Sequence, residues 1–385
     1  VAGGVTVLVD AGRIAGVEPG HPEIGADWQV LDYPGATIMP GLADAHVHLG
    51  GDSADGALDR LADYPDDRLQ AVIGTALQRH LAAGVTTVRD LGDRDWSVVA
   101  WRDRQRGAGR AAPLPAIVAS GPPITSVGGH CWTMGGQAAG PDALRAAVRA
   151  RAKRRADVVK IMVSGGTMTP GTDVLRCQFT LAELRVAVEE AHRLGLPVTA
   201  HAHALPAVER AVQAGVDGIE HCTCLVEGGI ELPDALLEAI VSAGIEVCPT
   251  LGKTPDAVPS PRVREMMRRT GFTFAKRQAF AAGMGLRGVR LVSGTDGGIS
   301  AGKPHGILAT AVADLVAGGL PASKALASAT SVAAGACGFG DRKGRVRPGF
   351  DADLLVVAGD PAADIGMLAQ VKSVMVQGSM VSGPG

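Results

Sequence analysis

Between residues 37 and 344 the chain alternates short apolar runs with longer amphipathic stretches. The runs include Val85–Val88, Ala116–Ala119, Val158–Val163, Val198–Ala200, Gly218–Ile219, Ile245–Val247 and Arg290–Ser293. Short apolar runs of this kind suit strands of a parallel sheet covered on both faces. The stretches between them, such as Leu69–Ala82, Asp142–Arg154, Leu181–Leu194, Leu205–Ala214 and Pro233–Ser242, carry helical periodicity. Several end in Ala-Gly, at Gly84, Gly215 and Gly244, where glycine stops a helix. With the run from Ala36 that leads into His48, eight strands alternate with helices. The expected fold is α/β, a (β/α)8 TIM-like barrel. A doubly wound open sheet is the alternative, and the missing glycine-rich fingerprint after the first strand argues against it.

The two ends of the chain read differently. Val5–Val9, Arg13–Val17 and Trp28–Asp32 at one end, and Ala352–Val357 and Val371–Gly378 at the other, read as strands split by turns. One small composite β-sandwich domain from residues 1–36 and 345–385 accounts for both, with the barrel over 37–344.

Composition excludes several classes. Of 385 residues, 46% are hydrophobic and 20% charged, which is a globular balance. A net charge of −2, with Arg151–Arg155 as the one basic block, disfavours nucleic acid, which needs a sustained basic surface. No apolar stretch reaches the roughly 18 residues of a membrane helix. Six cysteines make no disulfide framework, so reduced thiols and a cytoplasmic location are expected. Arginine outnumbers lysine and Ala and Gly abound, as in a GC-rich bacterial source. The chain opens on Val1 without Met, so further N-terminal residues are expected.

In barrels, function collects at the C-terminal ends of strands. Here those ends are polar. The first carries His46 and His48, which share a strand face because they are two apart. The fourth carries Lys160 inside Val-Val-Lys-Ile-Met-Val, the fifth His201 and His203, the sixth Glu220 and His221, the eighth Asp296. Paired imidazoles suit zinc and its neighbours. A lysine inside an apolar strand is costly as a cation. It could be a neutral amine, a carboxylate's partner, or a carbamate formed with carbon dioxide.

Together, Pro40–His48, Val159–Met162, Ala200–His203, Ile219–His221, Ser293–Asp296 and Pro348–Leu354 resemble the binuclear amidohydrolase superfamily over essentially the whole chain. Gly128-Gly129-His130, Met134-Gly135-Gly136 and Ser164–Gly171 resemble the branch of Xaa-Arg and Xaa-Lys dipeptidases, prolidase-like enzymes and ochratoxin amidohydrolases. The resemblance implies two divalent metal ions, zinc by expectation. His46, His48 and Asp296 would hold the buried metal, His201 and His221 the exposed one, and a carboxylated Lys160 would bridge them. A metal-bridging hydroxide would attack an amide carbonyl, Asp296 would shuttle the proton, and His203 or His130 would donate to the oxyanion.

The substrate end is read from loop composition. Arg176 is a candidate for a substrate carboxylate, Trp132 and Met134 for an apolar wall, and Ser164 for a contact in the loop after the fourth strand. Residues 250–274 read as a lid or as a subunit contact. His192, His80 and His21 read as surface residues, and His305 as orienting a helix. The expected substrate is a small linear amide, an N-acyl or aminoacyl amino acid. A cyclic-amide hydrolase like imidazolonepropionase, an amide hydrolase of secondary metabolism and a non-catalytic scaffold are the alternatives. A homo-oligomer is expected.

Overall fold

The computed structural model describes residues 4–23, 25–108 and 113–381. Fifteen strands are present among them: β1 Val5–Asp10, β2 Arg13–Pro19, β3 Ala36–Pro40, β4 Leu42–Val47, β5 Val85–Asp90, β6 Ala116–Ala119, β7 Val159–Met162, β8 Val198–Ala204, β9 Gly218–Val226, β10 Gly229–Ile230, β11 Glu246–Cys248, β12 Arg290–Leu291, β13 Leu354–Ala358, β14 Val371–Val376 and β15 Ser379–Val381. Strands β4, β5 and β6 pair in parallel, as do β7, β8, β9, β11 and β12 in that order. Two parallel bridges close the ring. Ile124, just after β6, meets Ile161 of β7, and Val47 of β4 meets Gly297 beyond β12. The result is the eight-stranded (β/α)8 barrel, with the hairpin β9–β10 at its rim.

The intervening helices follow the sequence periodicity closely, at Asp66–Ala82, Gly140–Lys153, Leu181–Arg193, Leu205–Ala214 and Asp234–Ser242. Gly215 ends its helix at φ 81°, a left-handed conformation open to glycine at no steric cost. Both faces of the barrel strands are buried, which explains why β4, β5 and β7 show no polar alternation.

The terminal segments build two small sheets. β1 pairs with β2, and β3, β13, β14 and β15 form a four-stranded antiparallel sheet. Their shared core holds Ile14, Phe350, Ala352 and Leu354. Two sequence readings need correction here. Trp28–Asp32 forms no strand: among the described residues no partner strand reaches it, and Trp28, Val30 and Leu31 are exposed. The run Ala36 to His48 is not one strand. β3 pairs with β13 in the small sheet, whereas β4 enters the barrel. The chain changes sheets at a single residue: Gly41 N donates to Asp353 O, and Leu42 N donates to Gly84 O, both at 2.9 Å.

The histidines outside the strand ends also differ from their sequence reading. His192 does sit at the surface, bonded to Asp217. His80 is buried, and its Nε2 lies 3.1 Å from Nδ1 of His305. His305 thereby packs on the helix Asp66–Ala82, and its Nε2 donates to Gly51 O at 2.8 Å and ties the loop after β12 to the loop after β4.

Gly41 has a specific reason to be glycine. A Cβ there would stand 2.3 Å from Thr86 Oγ1 and 2.4 Å from its Cγ2, and Thr86 is a stiff β-branched residue within β5. Gly41→Ala is therefore expected to destabilise the protein by about 1–3 kcal/mol, as overpacking does. Urea unfolding should show the midpoint fall, and the added Thr86→Gly should restore it; a wild-type midpoint for the single variant would contradict this account.

Candidate metal centre

His46 and His48 leave the end of β4 on one side of the strand. Each is locked through Nδ1 by a group that can only accept. His46 Nδ1 donates to Glu220 Oε2 at 2.7 Å, and His48 Nδ1 donates to Gly92 O at 3.1 Å. His46 therefore presents a bare Nε2, and His48 keeps its Nε2 for a second partner. These nitrogens converge on one oxygen: Asp296 Oδ1 lies 3.4 Å from His46 Nε2 and 3.2 Å from His48 Nε2. Asp296 is brought there by Asp44, which accepts from Thr295 N at 3.0 Å and Thr295 Oγ1 at 2.7 Å.

Glu220 underlies this cluster. Besides His46 it accepts from Thr199 Oγ1 at 2.6 Å and Arg89 Nη2 at 3.3 Å. Burial pushes its carboxyl up, but the hydrogen bond from His46, with Lys160 and Arg89, outweighs that and holds it well below the usual range. An ionised Glu220 fixes the tautomer of His46.

The second cluster lies beside the first. His201, His203 and His221 each offer a nitrogen within 4.8 Å of the others'. Their ring centroids are 4.3–4.8 Å apart, and His221 lies 5.4 Å from His46. His201 Nε2 donates to Gly165 O at 3.1 Å, which leaves Nδ1 bare. His221 Nδ1 lies 2.7 Å from Thr250 Oγ1. Burial, then the neighbouring His130 for His201 and His203 for His221, pulls both far below the ordinary histidine value. Burial likewise lowers His203 to about 3 and His130 to about 4. Neutral imidazoles are the ligand form.

Lys160 stands between the clusters. Its charge acts on His46 on one side and on His201, His203 and His221 on the other. The side chain is buried, and burial pulls its pKa down while Glu220 and Asp296 only partly offset that. Among the described residues it makes no side-chain hydrogen bond or ion pair, so its amine has no structural partner of its own.

The donor set fits a cation. The bare Nε2 of His46 faces an Asp296 carboxylate oxygen at 3.4 Å, lone pair against lone pair. Burial and Lys160 lower His46 to about 4, so it does not supply that proton near neutrality. Burial pulls His48 down as well, yet the hydrogen bond and charge of Asp296 raise it overall. The site thus demands positive charge where a metal ion would supply it. The backbone is strained at the same points. His221, Thr250 and Asp296 have φ of 67°, 46° and 60°, conformations that cost non-glycine residues about 1–3 kcal/mol each and persist where surrounding structure enforces them.

A profile of the Amidohydrolase family matches residues 37–381. The chain belongs to the amidohydrolase family. Ochratoxinase of Aspergillus niger is 29% identical over 390 residues, covering 90% of this chain and 76% of that protein. Imidazolonepropionase of Salinispora tropica is 26% identical over 384 residues, covering 91% and 85%. Among solved structures, a Xaa-Pro dipeptidase with methionine bound in its active site superposes with a TM-score of 0.84 at 28% identity, covering 98% of this chain and 95% of that one. This amidohydrolase is thus a hydrolase by family and by relatives.

The amidohydrolase site gathers some sequence candidates and not others. His130 lies beside His201, with ring centroids 4.6 Å apart. Met134 is buried next to Gly92, and Trp132 is exposed. Ser164 is committed to the backbone: Oγ donates to Gly165 O and accepts from His203 N. Arg176 is exposed, and its carbonyl accepts from Gly165 N. Residues 261–270 form a helix that covers the loop after β7, with Arg269 paired to Asp173 over a small core of Val174, Leu225 and Phe272. All six cysteines are free, and no helix is long and apolar enough to cross a membrane, among the described residues.

Sequence reasoning gave no role to Asp44, Arg89, Glu220, Thr250, Arg277 or Lys303. Asp44 and Glu220 were detectable as lone carboxylates in apolar runs; the others acquire meaning only from contacts made across the barrel mouth. Glu220→Gln keeps the shape but loses the charge that orients His46. Competition with a chelator should show metal affinity falling roughly 10–100-fold; unchanged affinity would contradict the orienting role.

Proposed function

We propose that this amidohydrolase cleaves a linear amide bond in a small N-acyl or aminoacyl amino acid. The carrying observation is convergence: side chains from five strand ends, His46, His48, Lys160, His201, His221 and Asp296, meet at one mouth of the barrel. A dipeptidase among the structural relatives and an ochratoxinase among the sequence relatives support amide cleavage. Imidazole and carboxylate ligands favour zinc.

In this reading His46, His48 and Asp296 would hold the inner metal and His201 and His221 the outer one. Lys160, as its carbamate, would offer both an anionic ligand in place of an unpartnered amine. Metal ions held there would make water nucleophilic near neutral pH and polarise the amide carbonyl.

The protein's own groups move the proton. Burial pushes Asp296 up, but its basic surroundings, with the hydrogen bond of His48 and the charge of Lys303 among them, outweigh it and keep the carboxylate ionised. It is therefore ready to accept a proton at Oδ from the attacking water and return it to the leaving nitrogen.

The hydrogen-bond network separates the two spare histidines. Thr223 Oγ1 donates to His203 O at 3.3 Å, so it takes the proton of His203 Nδ1 and leaves Nε2 bare. Thr169 Oγ1 accepts from Cys131 N and lies 2.9 Å from His130 Nδ1, which anchors the His130 ring beside His201. With His203 Nε2 bare, His130 is the remaining candidate donor to the developing oxyanion.

The imidazolonepropionase relative supports a second reading, hydrolysis of a cyclic amide. Metal-loaded protein offered dipeptides, N-acyl amino acids and lactams decides between them. Turnover of linear amides is expected; turnover confined to cyclic amides would replace the first reading, and none at all would remove both. Asp296→Asn should retain part of its metal and lose about 100- to 10,000-fold in kcat, the range of a general base. Near-wild-type kcat would contradict the proton role.

A further inference from the structure

Resting on the amide-hydrolase reading, we propose that Arg277 receives the carboxylate of the substrate's amino-acid half, so the enzyme takes anionic amides in preference to neutral ones. Arg277 lies on the helix Phe274–Leu286. Its Nη2 donates to Pro249 O and to Thr250 Oγ1, both at 2.6 Å. The same Thr250 hydroxyl lies 2.7 Å from His221 Nδ1. The guanidinium is therefore one hydroxyl away from the outer histidine cluster.

Its remaining donors are unused. Nε is buried without a hydrogen-bond partner, Nη1 has none among the described residues, and the group makes no ion pair there. Apart from Lys160, read above as a carbamate, the other buried cations near the centre are satisfied. Arg89 has Glu220, and Lys303 Nζ donates to the carbonyls of Thr250, Leu251 and Thr295 at 2.7–2.9 Å. A cation with spare donors beside a hydrolytic centre calls for an external anion.

The chemistry of the substrate fits this place. The carboxylate of an amino-acid leaving group hangs one carbon from the scissile nitrogen, so its receptor must stand next to the metal ligands. The surrounding segment adds attraction at longer range: residues 251–277 carry seven basic and two acidic side chains in a chain of net charge −2. Arg176, the arginine that loop composition singled out, is exposed and lacks this link to a metal ligand.

Calorimetry on the metal-loaded enzyme tests the proposal with L-leucine, a product of N-acyl-leucine cleavage, against L-leucinamide. The wild type should bind leucine about tenfold or more tightly than the amide, a charge-assisted difference. Arg277→Met should bind the two alike, and Arg277→Lys should keep part of the preference, with thermal unfolding of both variants compared with wild type. Equal binding by wild type, no binding of leucine, or a full preference surviving in Arg277→Met would overturn it, the last by assigning the discrimination to the metals. A parallel assay with N-acetyl-L-leucine keeps the two claims apart. Intact discrimination without hydrolysis would remove the hydrolase reading and leave the carboxylate site standing.

Discussion

The structure turns on the buried carboxylate of Glu220. It holds the proton of His46 Nδ1 and sits on Arg89, and so decides that His46 faces Asp296 with a lone pair. A neutral or absent group there would free His46 to turn its N–H toward Asp296 and replace the candidate metal site with an ordinary hydrogen bond. Ionising a carboxylate in the barrel interior is costly unless it is paired and hydrogen-bonded. Glu220 meets that condition through His46, Thr199 and Arg89. Asp44 does similar work one layer out, joining the first strand to the last and setting Asp296 in its left-handed conformation. Orientation of the centre is therefore built into the barrel rather than left to its loops.

Much of this was legible in the chain. The barrel strands stand out because both faces are buried, and a polar residue inside such a run is conspicuous. His46, His48, Lys160, His201, His221 and Asp296 all announced themselves that way. What failed, failed for physical reasons. Trp28–Asp32 has strand-like composition, but a strand exists only where another can pair with it. The run from Ala36 to His48 is continuous in hydrophobicity and discontinuous in space, because Gly41 lets adjacent residues bond to different sheets. His80 is a polar residue type, yet it shares the buried stripe of Leu69, Ile73 and Leu77 and meets His305, more than two hundred residues later.

The loops were less legible, since composition does not tell which way a side chain points. Ser164 and Arg176 share the loop after β7 with other polar residues, but one spends its hydroxyl on the backbone and the other reaches solvent. Arg277 lies on a helix with no motif around it. Its position becomes informative only when that helix folds back over Thr250. The tautomer of His203 was equally hidden; it follows from the use that the Thr223 hydroxyl already has for its proton.

The central claim is that the six converging side chains form a binuclear metal centre completed by a modified Lys160. Native mass spectrometry of the protein, loaded with zinc in bicarbonate buffer, tests it most directly. The account predicts two metal ions and the mass of one carbon dioxide per chain, with the added mass mapping to Lys160. A folded chain that binds no metal or a single ion, with Lys160 unmodified, would contradict it.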